Sequence, residues 1–262
     1  MLEGKTAVVT GTNRGLGKAI AEDFAKNGAN LFVCARTKTD EFESWGRKLS
    51  ESFGVEVHPL YFDLCDAEAM KAAFSEIRSS KKQIDVLANV AGTVFSANFQ
   101  MTSIDKMKSL FDVNLFSQIQ FTQYILKLMT RQKAGSIIFI ASSGGIDGNP
   151  GRTAYNASKA GVISASQTLA REVGKNGIRV NAIAPGLMDT DMARDNTPED
   201  VMEREITGTC LGRIGKPEEL AHVVTFLGSD LASYVTGQVW RVDVAGRHSG
   251  STLRRGDEAQ AG

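Results

Sequence analysis

Apolar residues gather into seven short runs, near residues 6–10, 30–35, 55–61, 84–88, 136–141, 178–184 and 238–242. Runs this short and continuous mark strands buried on both faces, and the intervals between them read as helices. The alternation predicts an α/β fold: a single Rossmann-type, doubly wound parallel sheet of about seven strands with helices on both faces. Two helices carry more apolar surface than one buried face needs. In Leu110–Met129, residues Phe111, Leu115, Phe116, Ile119, Phe121, Tyr124, Ile125 and Leu128 cover more than one side. The helix after Tyr155 carries the small residues Ala157, Ala160, Gly161, Ser164 and Ala165. These faces lie either under neighbouring loops or in a subunit interface. Leu187 to Gly215 is the one long irregular segment and reads as a substrate lid or as a plain surface loop.

Composition mainly excludes. The 262 residues suit one large α/β domain over residues 1–246, with a polar tail at 247–262 expected to be mobile. Lys plus Arg equals Asp plus Glu at 30 each, so no long-range field argues for nucleic acid or an anionic membrane. The first strand begins near Lys5, leaving no room for a secretory segment, and no apolar run approaches the roughly 20 residues that span a bilayer. A soluble, cytoplasmic chain is expected. Three cysteines without C-x-x-C spacing fit free thiols, with Cys34 and Cys65 read as small buried residues. His58, His222 and His248 are scattered, so no metal site is expected.

Candidate chemistry begins at the first strand. It is followed by Gly11-Thr12-Asn13-Arg14-Gly15-Leu16-Gly17 and then by helical Lys18–Asn27. In a strand–turn–helix unit, Gly11, Gly15 and Gly17 let the backbone approach a pyrophosphate at the helix N-terminus. The spacing differs from the common G-x-G-x-x-G, and an ordinary βα turn would also accommodate it. The second strand ends at Ala35-Arg36, where NAD-preferring folds place a carboxylate against the ribose 2′-hydroxyl. Ala35 there, with Arg36 and Arg14 close by, favours NADPH unless both arginines are merely solvated.

Tyr155 and Lys159 are four residues apart, so on a helix they share a face. A phenol has a pKa of roughly 10, and a neighbouring ammonium is expected to lower it to a useful value. Ser142 stands thirteen residues before Tyr155, at the C-terminal edge of the fifth strand, beyond which ligands sit. Asn114 lies among Leu and Phe and needs a hydrogen-bonding reason to be there. Singly these are a cap, a satisfied core amide and a structural pair. Together they predict a catalytic set.

Thr10-Gly11-x-x-x-Gly15-x-Gly17, Asn89-Val90-Ala91-Gly92, Asn114, Ser142, Tyr155-x-x-x-Lys159 and Pro185-Gly186 with Thr190 follow one another in order. On these pieces the chain resembles the short-chain dehydrogenase/reductase family over residues 1 to about 246. Val180–Gly186, Thr190–Met192, Leu211–Glu219 and Gly237–Val239 look most like its 3-oxoacyl-(acyl-carrier-protein) reductases. The resemblance implies Tyr155 as acid/base, Ser142 as donor to the substrate carbonyl, and Lys159 at the nicotinamide ribose, lowering the Tyr155 pKa. Asn114 would fix a water linking Lys159 to solvent. Asn89, Ala91 and Gly92 would line the cofactor, Asp63 and Leu64 the adenine, and Pro185, Gly186, Met188 and Thr190 the nicotinamide.

The implied activity is NADPH-dependent ketone reduction, first of a 3-oxoacyl thioester, with a cyclic ketone, keto-sugar or steroid as alternatives. A homotetramer built on the two apolar helices is implied as well. Three departures stand out: Val90 replaces a second Asn, Asp243-Val244-Ala245-Gly246 replaces a terminal Asp-Gly-Gly, and only Lys133 of two carrier-docking basic residues is kept, the other mapping to Asn176. Docking of an acidic acyl carrier protein is therefore an open expectation. A serine hydrolase would need glycine where Ile140 stands. A non-catalytic NADP-sensing module would not be expected to keep Ser142, Tyr155 and Lys159 together.

Overall fold

In the computed structural model, side chains alternate across each strand and so divide the core into two layers. Along β1 (Thr6–Thr10), Ala7 and Val9 enter one layer and Val8 the other. Along β2 (Asn30–Ala35), Leu31 and Val33 oppose Phe32 and Cys34. In β5 (Gly135–Ile140), Ile138 and Ile140 oppose Ile137 and Phe139. Covering both faces leaves no polar alternation in these strands, which is why they read as unbroken apolar runs. The structure describes residues 1–197 and 199–243, with the side chains of 200, 204 and 205 excluded. The expected tail at 247–262 lies outside them.

With β3 (Val57–Tyr61), β4 (Val86–Asn89), β6 (Ile178–Pro185) and β7 (Val239–Val242), the described residues form a seven-stranded parallel sheet in the order β3-β2-β1-β4-β5-β6-β7. The order reverses between β1 and β4, and a crevice opens there at the C-terminal edge. In chain order the helices are α1 (Gly15–Lys26), α2 (Asp40–Phe53), α3 (Ala67–Ser79), α4 (Ile104–Phe111), α5 (Ser117–Gln132), α6 (Gly144–Asp147), α7 (Thr153–Val173), α8 (Asp191–Asn196), α9 (Glu199–Gly208) and α10 (Pro217–Gly228). Buried residues of α1, α2 and α10 fill one layer, and those of α3, α5 and α7 fill the other.

Three expectations are corrected. Leu187–Gly215 is not irregular: it holds α8 and α9, and Thr190 Oγ1 starts α8 by accepting from Ala193 N at 3.3 Å. Neither helix has a long apolar stripe, so periodicity did not reveal them. Cys65 is exposed rather than buried, because Asp63 Oδ1 turns the chain outward by accepting from Cys65 N at 2.8 Å. The predicted helix around 110–129 is broken in register by a π turn at Asp112–Phe116, joining α4 to α5.

Much of the apolar excess of that helix is absorbed within the chain. Phe121 packs on Phe62 with ring centroids 5.4 Å apart, and Tyr124 stacks on Phe74 at 5.2 Å. Phe116 stays 55% exposed. A Cβ on Gly161 would come within 2.9 Å of Leu115 Cδ2, so the glycine lets α7 pack closely under the π turn. Ala157, Ala160 and Ser164 on α7 remain exposed. Among the described residues, no helix is long and apolar enough to cross a membrane.

Candidate active site

β1 ends at Thr10, whose hydroxyl accepts from Val90 N at 2.9 Å and Ala91 N at 3.1 Å. It ties the loop after β4 to the end of β1, where the sheet order reverses. Thr12 Oγ1 and Thr12 N both donate to Cys34 O at 3.1 Å, fixing the same loop to β2. Gly11 has φ +71°, and a Cβ there would approach Ala91 Cα to 2.8 Å; at Gly17 it would overlap the Gly11 carbonyl. Both glycines are thus required by backbone packing.

The loop delivers the chain to α1. Its N-cap, Arg14, is extended and gives no side-chain cap, and the first turn holds no acid. Backbone N–H groups there are left for an outside acceptor, and no acid in the helix's own first turn opposes its dipole. Asn13, Arg14 and Arg36 are exposed around this end, while Leu16 packs against the core. Gly15, φ +57°, lies against Thr190: a Cβ would sit 3.5 Å from Thr190 Cγ2. An anionic dinucleotide fits this cradle. Among the described residues, no cluster of three or more His, Cys, Asp or Glu could hold a metal ion.

The catalytic candidates converge at the same edge. Ser142 follows β5, its hydroxyl accepts from Gly144 N at 3.2 Å, and it faces the Tyr155 phenol closely enough to favour the phenolate. Burial pushes the phenol above its ordinary value; the Ser142 hydroxyl and the Arg152 charge oppose this without prevailing. Tyr155 is therefore a neutral acid at pH 7. The expectation that Lys159 lowers its pKa is not met here. The Lys159 amine lies 6.0 Å from the phenol ring centroid and donates to Ile140 O at 2.8 Å. Burial brings Lys159 itself down to about 8. Desolvation is the leading cause for both groups and disfavours the charged form of each.

Asn114 is fully buried, and the π turn aims it at two elements. Its Nδ2 donates to Thr93 O at 2.9 Å and Ser158 Oγ at 3.1 Å, while Oδ1 accepts from Thr93 N at 2.8 Å. A Cβ on Gly92 would lie 3.2 Å from Asn114 Oδ1 and 3.4 Å from Lys159 Nζ, so these three positions meet. Both amide protons are committed to protein partners. The side chain frames the Lys159 pocket.

Of the other predicted positions, Ala91 and Gly92 are half-buried along the crevice. Asn89 is not at its surface: it is fully buried, and Nδ2 donates to Thr122 Oγ1 at 2.9 Å. Its place in β4 turns the amide into the layer under α5. Asp63 is exposed just beyond β3, and Leu64 packs against the core. Pro185 ends β6, and its carbonyl accepts from Ser143 N at 2.8 Å. Gly186 leaves room for the Asp243 carboxylate, and Met188, buried, contacts Gly215.

Sequence reasoning gave no role to four residues that hold the site. Thr10 is one. Gln118 Nε2 donates to Ala91 O at 2.5 Å, and Ser158 Oγ donates to Tyr155 O at 2.7 Å while accepting from Asn114. Arg152 extends toward both Ser96 and Thr197. Their i−3 and i+3 offsets from Tyr155 were the available signal for Arg152 and Ser158.

Lys159 yields a prediction in the cofactor-free protein. Its folded pKa lies below the unfolded one, so between about pH 8 and the ordinary lysine value the unfolded chain binds more protons. Stability should rise with pH across that window, beyond the change from other groups. Denaturant titration at several pH values should show this rise in wild type and its loss in Lys159→Met. Parallel pH profiles in the two proteins would contradict it.

Comparison with known proteins agrees with this geometry. A family model described as enoyl-(acyl carrier protein) reductase matches residues 11–246. The 3-oxoacyl-(acyl-carrier-protein) reductase of Thermotoga maritima is 38% identical over 242 residues, 92% of this chain and 97% of that protein. The reductase of the same name from Escherichia coli is 34% identical, covering 92% of this chain and 96% of its own. A solved structure from Beutenbergia cavernae, described as an NAD(P)-dependent gluconate 5-dehydrogenase with NADP at low occupancy, superposes with TM-score 0.86 at 32% identity, covering 92% and 96% of the two chains. With its parallel sheet, glycine loop and Ser142–Tyr155–Lys159 set, this chain belongs to the short-chain dehydrogenase/reductase family of oxidoreductases.

Proposed function

We propose that the chain reduces the ketone of a 3-oxoacyl thioester to the 3-hydroxyacyl product, with NADPH as hydride donor. The observation that carries the reductive chemistry is a neutral Tyr155 phenol facing the Ser142 hydroxyl beside a dinucleotide cradle. The cofactor, when bound, supplies the hydride. The chain holds and moves the proton. Tyr155 donates it to the ketone oxygen as negative charge develops, and Ser142 donates a second hydrogen bond to the same oxygen. Lys159, its pKa brought down by burial to about 8, is the adjacent proton reserve for the phenolate left behind. Asn114 keeps Thr93 and Ser158 in register around that amine.

The substrate class is supported by the relatives, which are 3-oxoacyl-(acyl-carrier-protein) reductases at 34–38% identity. NADPH oxidation should be fastest with acetoacetyl or longer 3-oxoacyl thioesters in a panel that also holds a keto-sugar acid, a cyclic ketone and a 2-enoyl thioester. Tyr155→Phe should lose about 10²–10⁴-fold in kcat while still binding NADPH. Near-wild-type turnover in that variant would sink the proton assignment. A keto-sugar or an enoyl thioester as best substrate would overturn the substrate class.

Cofactor choice follows from Arg36 and Arg14, two exposed cations at the ends of β2 and the glycine loop, with Ala35 in place of a carboxylate. A charge-assisted hydrogen bond to the 2′-phosphate makes Arg36→Ala about 10- to 150-fold weaker with NADPH, while NADH use changes little. Ala35→Asp should shift preference towards NADH. An unchanged NADPH KM in Arg36→Ala would refute this role.

Self-association belongs to the same reading. Exposed Phe116 and the small exposed face of Ala157, Ala160 and Ser164 leave a contact for a second copy, with a homotetramer as the expected assembly. Light scattering should give a multiple of 28.2 kDa, and Ala160→Glu should reduce it. A monomeric wild type at micromolar concentration would contradict the assembly.

A further inference from the structure

Arg152 begins α7, three residues before Tyr155. Three residues advance about 4.5 Å along a helix axis, so the guanidinium starts less than one turn from the phenol. It does not serve the helix: Arg152 is the N-cap residue and makes no side-chain cap. Its Nε donates to Ser96 Oγ and its Nη2 to Thr197 Oγ1, both at 3.3 Å. Ser96 lies on the loop that leaves β4 past Gly92, and Thr197 closes α8. The guanidinium therefore ties the loop after β4 to the end of α8, at the start of the helix that carries Tyr155.

Two long bonds to neutral hydroxyls are a poor complement for a cation with five donors. No carboxylate pairs with Arg152 among the described residues. Its charge nonetheless reaches the phenol and acts on its acidity. A guanidinium so placed, with donors to spare and weak partners to exchange, suits a ligand oxygen.

We propose that Arg152 is a specificity-determining residue that hydrogen-bonds a second oxygen acceptor on the substrate, the carbonyl or carboxylate two carbons from the ketone. With the ketone oxygen on Ser142 and Tyr155, a guanidinium three residues before Tyr155, whose charge already acts on the phenol, is the cation that a neighbouring substrate oxygen would meet. Simple ketones leave the guanidinium on Ser96 and Thr197 and gain nothing from it. The inference rests on the ketone-reductase reading and deepens it. A thioester carbonyl and a free carboxylate offer the same acceptor, and the assay separates them.

The test measures kcat and KM for acetoacetyl thioester, free acetoacetate and a methyl ketone of matched length, in wild type, Arg152→Gln and Arg152→Lys. NADPH titration confirms that each variant folds. The ratio of kcat/KM for the better 3-oxo substrate to that for the methyl ketone should fall about 10- to 150-fold in Arg152→Gln, with partial recovery in Arg152→Lys. A ratio that stays constant, whether both activities fall or neither does, overturns the proposal, as does a wild type that prefers the methyl ketone. If acetoacetate is reduced and no thioester is, with the ratio still dependent on Arg152, the inference stands and the thioester reading fails. If thioesters are reduced with a ratio indifferent to Arg152, the reverse holds.

Discussion

The site depends on how the sheet is held where its order reverses. β1 and β4 are paired strands whose following segments part in opposite directions, and at that point backbone N–H groups lose their ladder partners. Thr10 Oγ1 takes two of them, from Val90 and Ala91, and so fixes the distance between the glycine loop and the segment carrying Gly92. The rest is built outward from this junction. Gly11 rests on Ala91, Gly92 leaves space for Asn114 and Lys159, and Gln118 holds the Ala91 carbonyl from above.

Burial, more than pairing, sets the electrostatics. The Tyr155 phenol rises and the Lys159 amine falls, because both lose water and each disfavours its charged form. The two values move apart, leaving a protonated phenol beside an amine that gives up its proton easily. A site open to solvent would keep a weaker acid-base contrast with its surroundings. Here the same desolvation also strengthens any hydrogen bond that Ser142 and Tyr155 make to one oxygen.

The strands and the glycine loop were legible because their patterns are local. Doubly buried strands have to be apolar throughout, and a βα turn at a helix N-terminus has to contain glycine at Gly11 and Gly17. Tyr155, Lys159 and Ser142 were legible as a set, but not their partners. Lys159 is held by a carbonyl nineteen residues earlier, at Ile140, and carbonyls carry no sequence signature. Asn89 looked like a cofactor contact until the strand register turned it inward to Thr122. The helices α8 and α9 were missed for want of an apolar stripe, and Cys65 was misplaced because an Asp63 turn outweighs thiol hydrophobicity.

The π turn at Asp112–Phe116 leaves α4 and α5 one residue out of phase. A regular α-helix through this stretch would be shorter by a residue, and one residue turns a helix by about 100°. Deleting a single position there would mend the backbone and swing Asn114 away from Thr93 and Ser158, or else swing Phe121 and Ile125 out of the core. A smoother helix and a correctly aimed amide exclude one another in this chain. The irregularity acts as a phase shifter, letting one continuous rod serve two surfaces that a perfect helix could not address together.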